Sequence, residues 1–283
     1  MGSDKMKTKL IMVEGIPGSG KSTFAQKIAD YYRNKGIAVN LFNEGQAHPV
    51  DLAWSACVPL GSLDNLLFKY SELESEIRKN MNINGDYAII AYTQVKTDNR
   101  EFYKELENYE VYDNRVDFDV FCNLIYSRWS AFGKQAVEKD ILNIFECAFF
   151  QNHINELQNY QLANKTDIEK HLNKLLSSVI NLSPVLIYLS QPSIRETIER
   201  IAKERVSEHG NWIDMAVAYT EKTPYGKLNN LKGFEGLIRC IEDRKQIEED
   251  ILRTLPINTI IVENDDYNWE SAWNKLEAYL ITL

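Results

Sequence analysis

The run Gly15-Ile16-Pro17-Gly18-Ser19-Gly20-Lys21-Ser22-Thr23 matches the spacing G-x-x-x-x-G-K-[ST], and each fixed position has a chemical task. Glycines let the backbone fold back until several N–H groups point at one cluster of phosphate oxygens. A helix starting at the lysine adds unpaired amides and the positive end of its dipole. Lys21 brings a cation to the β- and γ-phosphates, and the Ser22 hydroxyl is placed to ligate Mg2+. The expected ligand is therefore a nucleoside triphosphate, with ATP and Mg2+ as the expected cofactors.

Several polar residues elsewhere are candidates to work beside this loop. Glu146 ends an apolar stretch after Ile144-Phe145, where a magnesium-holding carboxylate belongs, so it is expected near the metal or the substrate unless it is a buried structural acid. Cys147-Ala148-Phe149-Phe150 follow it, and Gln151, Asn152 and His153 are further polar candidates. Glu44 follows another apolar stretch as Phe42-Asn43-Glu44-Gly45. His48 and Asp51 are candidate substrate contacts, although Pro49 with Asp51 also reads as a helix opening. Arg128, next to Trp129, is a candidate for a substrate anion. Arg195, Arg200, Lys203 and Arg205 lie on or just past one helical pattern, with Glu196, Glu199 and Glu204 spaced to pair with them.

These residues need a frame. Five short apolar runs read as core strands: Leu10–Val13, Ile37–Phe42, Ile141–Phe145, Val185–Leu189 and Ile257–Val262. Helical spacing marks Phe24, Ile28, Tyr31 and Tyr32, then Ile194, Ile198 and Ile201 after Pro192. It also marks Leu237, Ile238, Ile241, Ile247 and Ile251, and finally Trp269, Trp273, Leu276 and Leu280. Strands alternating with helices predict an α/β fold: a parallel five-stranded sheet with helices on both faces. The long interval between the second and third strands, residues 47–140, predicts a large and mostly helical inserted lobe near the carboxyl ends of the strands. Its aromatics, among them Trp54, Tyr87, Tyr92 and Trp129, are expected mainly in its own core, and Asp86–Tyr92 reads equally as strand or helix. The segment from Gly210 to Gly236, with its four glycines and Pro224, reads as a mobile lid or loop within a lid region of about 195–236.

One motif is set aside. Asn164-Lys165-Thr166-Asp167 spells the guanine-reading N-K-x-D, but Asn159–Ala163 before it is no core strand. Thr166-Asp167-Ile168-Glu169 reads instead as a capping box opening a helix through Leu172, Leu175 and Leu176. A base-binding pocket is expected around Asn264-Asp265-Asp266-Tyr267, and His171 and His209 read as ordinary surface or helix histidines.

Taken together, Val13-Glu14-Gly15 leading into the loop, the acid after the second strand and the arginine-bearing helix after the fourth resemble the P-loop kinases, above all the nucleoside and thymidylate kinases. The resemblance covers the sheet framework, roughly residues 7–46 and 140–283, while the middle lobe resembles that of small bacterial P-loop proteins with no assigned activity. It implies that Glu44 takes the proton from an accepting hydroxyl, and that Arg200 and Arg205 close over the triphosphate and exclude water. Those kinases often carry Arg directly after the acid at Glu146, where this chain has Cys147. The implied function is an ATP- and Mg2+-dependent phosphotransferase acting on a nucleoside, nucleotide or similar metabolite. The alternative is a nucleotide-dependent ATPase or switch acting on a macromolecule, and a nucleic-acid end kinase comes third.

Bulk properties narrow the classes. The chain has 283 residues, and 32 basic against 41 acidic residues give a formal charge of −9, a poor match to non-specific nucleic-acid binding. Cys57, Cys122, Cys147 and Cys240 are far apart in sequence and are expected as free thiols in a reducing cytoplasm. No apolar run reaches the roughly 20 residues that span a bilayer. Met1-Gly2-Ser3-Asp4-Lys5 ahead of Met6 looks like an added leader, which places the natural start at Met6.

Overall fold

The computed structural model describes residues 7–207, 210–264 and 267–283. The readings placed on residues 1–6, His209, Asp265 and Asp266 lie outside these. In chain order the first elements are β1 (Leu10–Gly15), α1 (Lys21–Asn34), β2 (Val39–Phe42), β3 (Ala56–Pro59), α2 (Leu60–Lys69) and α3 (Glu74–Lys79). There follow β4 (Met81–Asn84), β5 (Tyr87–Ile90), α4 (Arg100–Glu107), α5 (Phe118–Val137), β6 (Leu142–Glu146) and α6 (Gln151–Ile154). A π-helical stretch, Asn155–Tyr160, continues α6. Then come α7 (Lys165–Val179), β7 (Val185–Ser190), α8 (Ile194–Glu204), β8 (Val206–Ser207), β9 (Gly210–Asn211) and α9 (Trp212–Lys222). The last are α10 (Pro224–Leu228), α11 (Gly233–Leu252), β10 (Asn258–Glu263) and α12 (Trp269–Leu280).

The chain divides into two compact units, one ending at Pro49 and resuming at Trp129–Leu283, the other Val50–Arg128. In the first, five parallel strands pair in the order β10-β7-β1-β6-β2. Strands β1 and β6 are buried along their whole length, so β1 reads as a continuous apolar run from Leu10 to Val13, while β6 is interrupted by one buried polar residue, Asn143. The edge strands β2 and β10 are half-exposed. One face of the sheet packs Ile11, Val13, Ile144 and Ile187 against Phe24 and Ile28 of α1 and Leu276 of α12. Register then does the positioning: Val13 lies opposite Glu146, and Phe42 lies opposite Phe145. The phosphate loop, Glu146 and the Asn43-Glu44 turn thus leave three adjacent strands at the same end, the carboxyl end where open α/β sheets bind ligands.

The second unit holds a three-stranded antiparallel sheet, β3-β5-β4, with a core of its own that includes Val58, Leu66, Ile77, Ile90, Phe102 and Leu106. Helices supply most of its regular structure, as expected, but the sheet was not foreseen. The ambiguous stretch Asp86–Tyr92 resolves as strand β5. Nor does the unit extend to residue 140, because α5 from Trp129 onward belongs to the first unit.

Three local expectations are corrected. Helix α7 is capped by Asn164, whose side chain accepts from the Asp167 amide at 3.0 Å, so the cap lies two residues before Thr166. The cap of α8 is Ser193, with Pro192 outside the helix. The segment from 210 to 236 is largely helical, not a loop: a Cβ on Gly226 would come within 1.9 Å of the Thr220 carbonyl, so that glycine serves close packing of α10 on α9.

Candidate active site

The loop between β1 and α1 makes a cradle. Gly15, Gly18 and Gly20 all have positive φ. Gly20, the residue before α1, sits at φ 95°, and a Cβ there would lie 2.5 Å from the Trp269 ring. The Ser19 amide donates to the Ile16 carbonyl at 3.2 Å, which closes the turn. Behind it the first amides of α1 have no partner inside the helix. Lys21 is buried, and its Nζ donates to the carbonyls of Gly15 and Ile16, both at 2.9 Å, so the ammonium lies folded across the loop. Ile16, Pro17 and Ser19 form the turn itself, while Ser22 and Thr23 are exposed on the first turn of α1.

Glu146, buried at the end of β6, joins this loop to the rest of the site. Its Oε1 accepts from the Ser22 hydroxyl, and its Oε2 accepts from the Glu44 amide at 3.3 Å. The Glu44 side chain is held separately: Gln151 Nε2 donates to Oε1 at 2.6 Å, and the Cys147 thiol donates to Oε2 at 3.5 Å. Ligating atoms of Glu44, Glu146 and Cys147 lie within 4.8 Å of one another. Burial pushes the Cys147 thiol well above its ordinary range, with Lys21 opposing, so a protonated sulfur stands there. The remaining donors are a hydroxyl and carboxylates, hard oxygens that suit Mg2+. Ser19 Oγ, buried in the cradle, has no hydrogen-bond partner among the described residues, as fits a group facing an anion. The residues present fit a Mg2+–nucleotide pair.

Beneath the loop is Glu14, to which the motif assigns no role of its own. Glu14 is fully buried and accepts from the amides of Phe149 at 2.7 Å and Gln151 at 3.2 Å. Burial raises its pKa from 4.5 to about 7, against the lowering pull of the Phe149, Phe150 and Gln151 amides. It ties the strand before the cradle to the start of α6, which carries Gln151. The only sequence signal was a charged residue inside an apolar strand.

The cleft around the loop encloses about 530 Å³. Arg200 lines it, donating to the Gly18 carbonyl at 3.3 Å and lying over the Tyr267 ring. Arg205, just past α8, faces Trp212 with 5.6 Å from guanidinium to ring centre. Tyr267 and Trp269 stand together with ring centres 5.8 Å apart and complete the wall. Lys21, Glu44, Glu146, Arg200 and Arg205 therefore share one cleft. Arg195 does not join them, being paired with Glu235 at 2.6 Å on the surface.

His48, Asp51 and Arg128 are placed differently. His48 packs edge-on against Phe42 and Phe145, with centroids 5.4 and 4.5 Å away. Asp51, in the second unit, accepts from the Ala53 amide at 3.1 Å and from the Tyr112 hydroxyl at 2.7 Å, which makes it a loop-fixing residue. Arg128 is half-buried; burial lowers its pKa and Asp51 opposes that. His48, in the first unit, is not among the residues that line the nucleotide cleft. His171, expected as a surface or helix histidine, lies on α7 and is buried, with its ring 5.2 Å from that of His153.

A buried parallel sheet, a glycine cradle opening a helix and an acid on the loop serine settle the fold. It is a P-loop NTPase fold. The sequence profile of the family described as "Chromatin associated protein KTI12" matches residues 8–112, less than half of the chain. No curated protein sequence matches significantly. Among solved structures, thymidylate kinase from Ehrlichia chaffeensis is 14% identical over 97% of this chain and 99% of that one, with a TM-score of 0.42. Thymidylate kinase from Candida albicans is 12% identical over 96% and 92%, with a TM-score of 0.41. At those scores the likeness adds nothing to the sheet order, on which the fold rests. Among the described residues no helix is long and apolar enough to cross a membrane.

Proposed function

We propose that this chain is an ATP- and Mg2+-dependent phosphotransferase that moves the γ-phosphate to a hydroxyl or phosphate oxygen of a small metabolite. The observation carrying this reading is the division of labour between two carboxylates. Glu146 engages the Ser22 hydroxyl, while Glu44 is oriented independently by Gln151. Mg2+, when bound at Ser22 and Glu146, neutralises charge on the β- and γ-oxygens. Lys21 and the loop amides hold those oxygens. With a hydroxyl acceptor, its oxygen bonds to the γ-phosphorus as the bond to the β,γ-bridging oxygen breaks. ADP leaves with that oxygen, and the hydroxyl proton passes to Glu44. Arg200 and Arg205 stand where they can offset charge on the transferring group, and Tyr267 and Trp269 offer ring faces to the base. The test is ATP turnover across a panel of hydroxylated and phosphorylated metabolites. Strong stimulation by one compound, lost in Glu44→Gln, supports transfer; acceptor-independent hydrolysis throughout opposes it.

A switch or ATPase acting on a macromolecule is the second reading. It is favoured by apolar side chains on the second unit that face solvent, Trp54 at 58% and Phe68 at 86% exposure, and by the chromatin association in the name of the family matched over 8–112. Hydrolysis stimulated by a macromolecule but by no metabolite would decide for it.

A further inference from the structure

A second cavity, of about 370 Å³, shares Pro17 and Trp212 with the nucleotide cleft. Its walls come from α9, α11 and the π-helical stretch, and most are apolar, including Met215, Leu237 and Ile241. One lining residue does not belong in such a place. Arg244 is 7% exposed, and its Nε lies 3.0 Å from Glu248 Oε1 without an aligned hydrogen bond. Its Nη2 has no hydrogen-bond partner among the described residues. Glu248 is itself engaged, because Tyr188 donates to its other oxygen at 2.6 Å.

Neutralising Glu248 would need only one edge of a guanidinium. A buried N–H left unmet is costly, and a buried guanidinium carries five donors in a fixed fork suited to an oxyanion. The cavity therefore joins a guanidinium whose Nη2 lacks a hydrogen-bond partner among the described residues to apolar walls, and it abuts the phosphate loop through Pro17. We propose that this cavity is the acceptor subsite. It takes a small hydroxylated metabolite with an apolar body, whose carboxylate or phosphate sits on Arg244. This rests on the phosphotransferase reading and names the substrate class for it.

The test is calorimetry on the full chain with the phosphate loop first filled by Mg2+ and a non-hydrolysable ATP analogue. Phenyl phosphate, benzoate and benzyl alcohol are the probes, the first two separating phosphate from carboxylate and the third lacking charge. At least one anion should bind tenfold or more tightly than benzyl alcohol. Arg244→Met should erase that preference and leave nucleotide affinity within twofold. Equal binding of all three, absence of anion binding, or an anion preference that survives Arg244→Met would overturn the proposal. If Arg244→Met does not fold, Ala216→Phe decides, since it fills the cavity from α9 and leaves the ion pair in place: lost anion binding supports the subsite, and retained binding refutes it. If the wild-type chain binds no nucleotide, the phosphotransferase reading fails, and the same anion titrations without nucleotide still judge the cavity.

Discussion

The Ser22 hydroxyl donates to Oε1 of Glu146, so the first turn of the helix after the phosphate loop is tied to the end of the neighbouring central strand. The register that sets Val13 opposite Glu146 makes this contact. A metal drawn to Ser22 would find a carboxylate already in place. Glu146→Gln should therefore raise the Mg2+ concentration needed for half-maximal nucleotide binding by roughly tenfold to a hundredfold. Metal-free nucleotide affinity should change little. Titrating Mg2+ at fixed nucleotide checks this, and an unchanged requirement would remove Glu146 from the metal site.

Lys21→Ala takes away the ammonium that now spans the Gly15 and Ile16 carbonyls. Losing a positioned donor of this kind costs roughly 3 kcal/mol of transition-state stabilisation, so kcat/KM for ATP turnover should fall by about a hundredfold or more. Steady-state kinetics on the folded variant reads this directly. Wild-type turnover would mean that another loop holds the phosphates.

Glu44→Gln keeps size and most hydrogen bonding but cannot accept a proton. Nucleotide affinity should hold within a few-fold, while transfer to an acceptor hydroxyl falls by about a hundredfold to ten-thousandfold. Gln151→Ala, which frees the Glu44 carboxylate, should produce a smaller loss in kcat of the same sign. If Glu44→Gln leaves transfer rates intact, Glu44 is not the base.

The frame was legible because its signals are local. Leu10–Val13 and Val185–Leu189 are uninterrupted apolar runs, and the cradle is set by residue types at fixed spacing. What escaped depends on contacts remote in sequence. The antiparallel sheet of the second unit unites strands from two places in the insertion, and Tyr87–Ile90 alone is too short to declare itself. Helical spacing marks Ile247 on α11, yet Arg244 and Glu248 are more deeply buried. A signal for that pair did exist: residues 241, 244, 248 and 251 recur at helical spacing, and the two charges there sit four apart with opposite sign. Trp212 could not be tied to the nucleotide loop from sequence, because only the fold of α9 brings them together.

Glu14 gives the chain a pH dependence. Its carboxyl is raised by burial from 4.5 to about 7, so between those values the folded chain keeps a proton that the unfolded chain has lost. The unfolded state binds fewer protons there, and stability falls as pH rises through the window. The displacement corresponds to roughly 3 kcal/mol at most. Urea denaturation of wild type and Glu14→Gln between pH 4.5 and 7.5 should show the wild type losing stability relative to the variant. Glu110, also raised to about 7 by burial, is present in both chains and cancels. A difference independent of pH would contradict the assignment.

The central claim is that the cradle from Gly15 to Thr23 holds the phosphates of a nucleoside triphosphate with magnesium. Isothermal titration of the wild-type chain with Mg2+ and a non-hydrolysable ATP analogue, repeated on Lys21→Ala, tests it most directly. The account predicts saturable one-to-one binding that requires Mg2+ for full affinity and weakens at least tenfold in the variant. No heat of binding to the folded wild type with either adenine or guanine triphosphate analogues, or equal affinity in the two chains, would contradict it.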